Sequence, residues 1–161
     1  MGADGSGLAQ ITALPDPVSS APGWSPDGSR IAFAAGGKIY LVSPDGTALV
    51  ELAPFGRTST MPSWSPDGRR IAFISSSQGP LQFGYSLAVM DAEGSAASVL
   101  FANDDLVLDP TWSPDGGHIA FTANDRATGI FDVYSVKADG TGLVDVSGGR
   151  SYDAGPSWGR R

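Results

Sequence analysis

Carboxylate and amide side chains cluster between residues 103 and 125, and oxygen ligands of this kind are the ones that Ca²⁺ prefers. An EF-hand loop would require alternating ligands, a central glycine and a closing glutamate, and this spacing is absent here. Because six or more oxygens must converge on one calcium ion, a solvated acidic loop is the stronger interpretation. The sequence therefore predicts no cofactor, with Ca²⁺ as the alternative. The clustered residues are Asn103, Asp104, Asp105, Asp109, Asn124 and Asp125.

The other reactive side chains form no recognisable catalytic pattern. His118 is the one histidine, and the chain has no cysteine, which excludes thiol nucleophiles and thiolate metal sites. His118 also occupies the position that Arg30 and Arg70 hold in similar stretches, which indicates a solvated strand start rather than a general base. The motifs of serine hydrolases, nucleotide-binding loops and zinc peptidases are missing. These observations favour a protein without catalytic activity, although a carboxylate pair remains open.

Net charge and hydropathy narrow the kinds of partner. The formal net charge is −7, and an acidic surface repels the phosphates of nucleic acids. No apolar run approaches the roughly 20 residues that cross a bilayer. Residues 1–15 contain no basic residue and no apolar core of signal-peptide length. The sequence thus predicts a protein partner, with no nucleic acid and no membrane span.

One twelve-residue motif occurs three times and begins a fourth time. It reads PGWSPDGSRIAF, PSWSPDGRRIAF and PTWSPDGGHIAF, and the last, truncated copy is PSWGRR. In each complete copy a phenylalanine follows the tryptophan nine positions later. Aromatic residues at matching places in short β-type segments are typical of a buried core. The predicted core positions are Trp24, Phe33, Trp64, Phe73, Trp112, Phe121 and Trp158.

Each repeat is interpreted as four short antiparallel strands, which we label a to d. Ser-Pro-Asp-Gly fits a type I turn between strands a and b, and a second Asp-Gly or Glu-Gly turn joins strands c and d. The aspartates are therefore predicted to bind local backbone rather than a metal, and Asp45, Glu93 and Asp139 are assigned the same role. The whole chain, 1–161, reads as one domain of repeats at about 3–44, 45–91, 92–137 and 138–161. The a–b turn residues are Asp27, Gly28, Asp67, Gly68, Asp115 and Gly116.

Length varies only between strands b and c. Antiparallel order puts the b–c loops and the d–a connections on one edge, which we call the loop edge, and the Asp-Gly turns on the other, the turn edge. Variable insertions of repeat proteins collect on one face, which is often the binding face. Tyr85 is open to two interpretations, a contact residue or the start of strand c. The predicted contact residues are Arg57, Gln82, Phe83, Asp104, Asp105, Asp125, Arg126, Arg150 and Tyr152.

The repeated Pro-x-Trp-Ser-Pro-Asp-Gly-x-x-Ile-Ala-Phe, with its later Ala-Asp-Gly-Ser/Thr-Gly-Leu, resembles the TolB-like (WD-like) β-propeller repeat. The resemblance implies an all-β propeller of four-stranded antiparallel blades, about three and a half of them in this chain. It is specific for the fold rather than the function, because the family includes periplasmic scaffolds and the propeller domains of peptidases and lyases. We therefore expect a binding or scaffolding module, periplasmic or extracellular by resemblance only. An enzyme's propeller fragment and a calcium-stabilised propeller are the alternatives.

The blade count implies open flanks. Leu8–Thr12 reads as a lone strand d and Gly155–Trp158 as a lone strand a, while the family usually has six or more blades. Exposed blade faces would forfeit apolar burial at ~25 cal/mol per Å². We therefore expect either self-association, most simply as a two-fold dimer, or completion by a missing N-terminal half.

Overall fold

The protein forms three consecutive four-stranded sheets, which we call blades 1, 2 and 3. The computed structural model describes residues 7–52, 58–79, 82–125, 128–149 and 153–159. In every sheet each strand pairs antiparallel with the next one along the chain. The described residues contain no helix, and so no helix that could span a membrane. The prediction of an all-β fold built from four-stranded antiparallel blades is confirmed.

The strands follow the a to d order in each blade. Blade 1 contains β1 (Gly23–Trp24), β2 (Ile31–Ala35), β3 (Lys38–Val42) and β4 (Val50–Leu52). Blade 2 contains β5 (Thr58–Trp64), β6 (Arg70–Gly79), β7 (Gln82–Asp91) and β8 (Ser98–Asn103). Blade 3 contains β9 (Val107–Trp112), β10 (His118–Asp125), β11 (Ile130–Lys137) and β12 (Val144–Asp145).

Strand b is apolar on both faces because both faces of its sheet are covered. In β6, Phe73 packs toward blade 1, whereas Ile74 packs toward blade 3. All five residues of β2 are buried as well, because blade 2 covers one face and Ile11 and Leu14 pack against the other. One cluster joins blades 1 and 2 through residues that include Ile39, Leu41, Ile71, Phe73 and Met90. A second joins blades 2 and 3 through residues that include Ile74, Leu87, Ile119, Phe121 and Val136.

The extra length between strands b and c extends the strands rather than making free loops. Strands β6 and β7 have ten residues each, against five each in β2 and β3. The blade 2 hairpin therefore continues about four residues further, or about 13 Å at 3.3 Å per residue. The sequence showed where residues were added, but not that their backbones would go on pairing.

The two terminal segments differ from expectation. Neither Leu8–Thr12 nor Gly155–Trp158 is a strand, although the sequence predicts strands d and a there. A strand requires a hydrogen-bonded neighbour, and neither segment has the strand b or c of its own blade beside it. Both segments instead lie against the flanks of the three blades, through contacts described below.

Candidate functional site

The turn edge is built from three copies of one hydrogen-bonded unit. In the first, the Gly28 N–H donates to the Ser25 carbonyl at 2.9 Å, and the Ser25 hydroxyl donates to Asp27 Oδ1 at 2.6 Å. The Arg30 N–H then donates to Ser25 Oγ at 2.9 Å, which closes the turn onto strand b. The units that begin at Ser65 and Ser113 repeat these bonds. Glycine ends each turn because its φ is positive, +72° at Gly28.

These local donors also stabilise the charged form of the turn carboxylates. The hydroxyl of Ser25, helped by the Ser29 amide and hydroxyl, lowers the pKa of Asp27 to about 2. The hydroxyls of Ser65 and Ser113 likewise lower the pKa of Asp67 and Asp115. A carboxylate that accepts several hydrogen bonds favours ionisation. The geometry therefore gives these aspartates a structural task within their own turns.

Glu93 differs from the role that the sequence assigned to it. In the c–d turn of blade 2 the accepting carboxylate is Asp91, which receives the Ser95 N–H at 2.8 Å and the Glu93 N–H at 3.2 Å. The Glu93 side chain instead pairs with Arg30 of blade 1, 3.2 Å away. Asp45 and Asp139, by contrast, each accept from the threonine two residues later.

The tryptophans link neighbouring blades. The Trp64 indole N–H donates to the Gly23 carbonyl at 3.1 Å, and that of Trp112 donates to the Ser63 carbonyl at 3.0 Å. Trp64 and Trp112 are 9% and 6% exposed. Arg30 lies over the Trp64 ring at 5.2 Å and Arg70 over the Trp112 ring at 4.7 Å, so a cation from the preceding blade covers each indole.

Two of the predicted core tryptophans are not buried. Trp24 is 58% exposed and Trp158 is 37% exposed, whereas the three repeat phenylalanines are almost fully buried. An indole is buried here only where it has both a preceding blade and its own complete sheet. Trp24 has no preceding blade among the described residues, and Trp158 has no sheet of its own. The repeat pattern shows that the four tryptophans are equivalent in sequence, but not whether a neighbouring blade packs against each of them.

The acidic cluster on the loop edge is held by amide donors. Asn124 Nδ2 donates to Asp105 Oδ2 at 2.7 Å, and Asn103 Nδ2 donates to the Asn124 carbonyl at 2.7 Å. The Leu106 N–H donates to Asn124 Oδ1 at 2.9 Å, which ties the d–a connection to the end of strand b. Among the described residues, no three His, Cys, Asp or Glu side chains form a group that could hold a metal ion.

The remaining predicted contact residues divide by position. Asp104 and Asp125 are exposed on the loop edge beside this cluster. Gln82 and Phe83 begin β7, and their backbones pair with Gly79 and Gln78 at the far end of the blade 2 hairpin. Tyr85 lies further along β7 and packs against the core between blades 2 and 3. Arg57, Arg126, Arg150 and Tyr152 lie outside the described residues.

A cleft of about 450 Å³ lies where the a strands converge. Met61 and Asp109, which line it, both have a φ of +53° and stand three residues before a tryptophan. The pairing with strand b shifts register at each of these two points. Such backbone strain in non-glycine residues concentrates at functional sites. The proline that follows each one does not mark this conformation, because Ala21 also precedes a proline three residues before a tryptophan and has no positive φ.

The chain is similar in sequence to one protein family and in structure to several solved proteins. Residues 6–158 match the family profile of the TolB beta propeller domain. The structure superposes on TolB from Acinetobacter baumannii with a TM-score of 0.76 and 24% identity, covering 94% of this chain and 37% of that one. An oligogalacturonate lyase in complex with manganese gives 0.70 and 16%, covering 85% of this chain and 42% of that one.

Other similar structures belong to larger enzymes. A puromycin-hydrolyzing peptidase of Mycobacterium tuberculosis gives a TM-score of 0.63 at 20% identity, covering 77% of this chain and 21% of that one. The chain thus spans less than half the length of these structural relatives. No curated protein sequence matches it at a significant level.

Proposed function

Because the chain belongs to the TolB β-propeller domain family, we propose that it is a non-catalytic binding module that holds a protein partner along its loop edge. The family and the fold are shared by scaffolds, lyases and peptidases, so the fold does not choose among these roles. The choice depends on how the two edges of this chain differ.

The difference between the edges is the observation that carries the proposal. On the turn edge, three nearly identical turns use their own serines and aspartates internally. Strands b and c have five residues each in blade 1, ten each in blade 2 and eight each in blade 3. The three hairpins therefore extend to different distances from the turn edge. An uneven edge presents different groups in each repeat, whereas a uniform edge repeats the same ones. Selective contact with another protein therefore favours the loop edge.

The charge of this edge suggests the chemistry of the partner. Asp104, Asp109 and Asp125 are exposed, and Asp109 stands in the cleft two residues after β9 begins at the loop edge. Carboxylates at the rim of an interface attract cationic groups and steer their approach. A basic, extended segment of a partner fits both the acidic rim and the cleft of about 450 Å³.

Binding of a selected peptide tests this proposal. A basic peptide is selected from a displayed random library against the folded chain, and its affinity for variants is measured by calorimetry. Asp104→Asn and Asp125→Asn should each weaken binding roughly 2- to 5-fold, the scale of one exposed ion pair. Glu93→Gln removes a carboxylate on the turn edge and is the matched control. If only Glu93→Gln weakens binding, the assignment of the binding edge is wrong.

A further inference from the structure

Two side chains at opposite ends of the arc are far more exposed than their equivalents in the other repeats. Trp24 of blade 1 is 58% exposed, against 9% for Trp64. Val146, just after β12, is 63% exposed, whereas Leu52 at the same place in blade 1 is 3% exposed. The repeats are otherwise alike, so the cause lies in what each side chain packs against.

The interior of the arc shows what covers these two positions. The Trp64 indole is covered from the preceding blade, where Gly23 supplies its acceptor. Leu52 is covered from the following blade, because the c–d turn of blade 2 passes so close that a Cβ on Gly94 would stand 3.0 Å from Leu52 Cδ2. Trp24 therefore requires a preceding blade, and Val146 requires a following one. The two flanks of one chain are complementary to each other.

The terminal segments stand in for these missing neighbours. At the C-terminal flank, the Trp158 indole N–H donates to the Thr111 carbonyl at 3.1 Å, the bond that the tryptophan of a following blade makes elsewhere. At the N-terminal flank, the Ile11 carbonyl lies against the turn at Gly46, 2.8 Å from the position of an added Cβ. Neither segment forms a strand, so each contributes only part of the contact that a blade makes.

The sequences of the two segments match the strands that they replace. Residues 3–8 read ADGSGL, and residues 138–143, which lead into β12 of blade 3, read ADGTGL. Residues 156–158 read PSW, and residues 22–24, which include β1 of blade 1, read PGW. In sequence, each terminal segment is thus of the kind that the opposite flank carries in a complete blade.

We propose that a second copy of this chain closes the ring, with blade 1 of one copy seated on blade 3 of the other. In this contact Trp24 replaces Trp158 at the Thr111 carbonyl, and Val146 replaces Ile11 against the Gly46 turn. Three blades fill half of a six-bladed ring, so a two-fold axis closes it and repeats the contact twice. Exchange of equivalent elements between identical chains is a low-cost route to a dimer.

The chemistry of the two faces fits this contact. The N-terminal flank carries an apolar pocket of about 190 Å³ between Trp24, Ile31 and Phe33 of blade 1 and the segment that includes Ile11, which the second copy displaces. Val133 of blade 3 is the equivalent of Ile39 of blade 1. Ile39 belongs to the core between blades 1 and 2. A face four strands wide and five residues long measures about 19 by 17 Å. Each copy contributes two such faces, about 650 Å² in planar outline, against the roughly 800 Å² per partner of a standard interface.

Sedimentation of the full chain over about 1–100 µM tests the proposal, which is independent of the function assigned to the loop edge. The expected mass is twice 16.5 kDa. Val146→Asp should shift the dissociation constant upward by more than about 10-fold, because it places a charge in the contact. Val99→Asp is the matched control, since Val99 is 49% exposed on the outer strand of blade 2, away from both flanks.

A second pair of variants distinguishes the exchange of Trp158 for Trp24 from nonspecific apolar association. Trp24→Phe keeps the ring but loses the N–H donor, and should weaken the dimer roughly 3- to 10-fold. Trp158→Phe removes the competing donor for the Thr111 carbonyl and should tighten it. Both side chains are exposed, so both variants should fold, which circular dichroism checks. A 16.5 kDa species at every concentration, an open-ended series of masses, or equal effects of Val146→Asp and Val99→Asp would overturn the proposal.

Discussion

The indole N–H of Trp64 in blade 2 donates to the carbonyl oxygen of Gly23 in blade 1, at 3.1 Å. The acceptor is the residue just before Trp24, the equivalent tryptophan of the preceding blade. Blade 3 repeats the relationship through Trp112 and Ser63, so the tryptophans set the spacing of the arc as well as filling its core. Several consequences of this packing can be measured.

Loss of the Trp64 indole donor should destabilise the protein. Trp64→Phe keeps an aromatic ring but leaves the partly buried Gly23 carbonyl without its donor, which costs about 1 kcal/mol in the free energy of unfolding. Trp158→Phe removes an equivalent bond at a residue that is 37% exposed, where water can replace the indole, and should cost less. Urea denaturation of both variants checks the order, which a larger loss in Trp158→Phe would contradict.

The guanidinium of Arg70 should contribute to stability through the ring that it covers. It lies 4.7 Å from the centre of the Trp112 ring, and a contact of this kind is worth about 0.5–1 kcal/mol. Arg70→Ala should therefore lower the free energy of unfolding by about that amount. Arg69→Ala is the control, because Arg69 is the neighbouring residue and has no ring contact. Equal losses in the two variants would show that the ring contact contributes nothing.

Gly46 should tolerate alanine less well than Gly28. Both have a positive φ, +83° and +72°, so an alanine is strained by about 1 kcal/mol at either one. Only at Gly46 would the added Cβ also meet backbone, 2.8 Å from the Ile11 carbonyl oxygen, while Gly28 faces open space. Thermal melting should show a larger decrease for Gly46→Ala. A decrease no larger than that of Gly28→Ala would mean that neither residues 7–14 nor a second copy packs against this turn in solution.

The turn carboxylates should make the protein sensitive to acid. The pKa of Asp27 is lowered from 3.8 to about 2, and the pKa values of Asp67 and Asp115 are lowered too. A group with a lowered folded-state pKa contributes stability above its unfolded pKa and loses it as the pH falls through the folded value. The melting temperature should therefore fall steeply from about pH 4 toward pH 2.

Removal of the serine donors should flatten this acid response. In the triple variant Ser25→Ala, Ser65→Ala and Ser113→Ala, the pKa of each turn aspartate returns toward its ordinary value, so less stability is lost on protonation. The variant should be less stable than the wild type at pH 7 and should lose less between about pH 4 and pH 2. Parallel melting curves for the two proteins across that range would contradict this cause.

The sequence predicted the blades because their determinants are local. Each Ser-Pro-Asp-Gly turn closes within six residues, and the alternation around Phe73 follows from the two-residue period of a strand. The exposure of Trp24 was not predictable, since it depends on a neighbouring blade and not on the repeat itself. Asp91 was missed because its equivalents in the other blades are Ser43 and Lys137, so the repeat pattern pointed to Glu93.

Contacts across the loop edge were predictable only in outline. The spacing placed Asp105 and Asn124 on one edge, but not the 2.7 Å bond between them, which depends on how the d–a connection bends back on strand b. The strained backbone at Met61 and Asp109 was likewise invisible in composition and charge. Long-range register decides both features, and it is a property of the assembled blades.

Binding through the loop edge is the central claim, and amide chemical-shift mapping tests it most directly. The ¹⁵N-labelled chain is titrated with the selected basic peptide, and the amides that shift are located on the structure. Shifts should concentrate at residues 103–109, at Asp125 and at the start of β7, and the turns at residues 25–28, 65–68 and 113–116 should be unchanged. Shifts confined to those turns would contradict it.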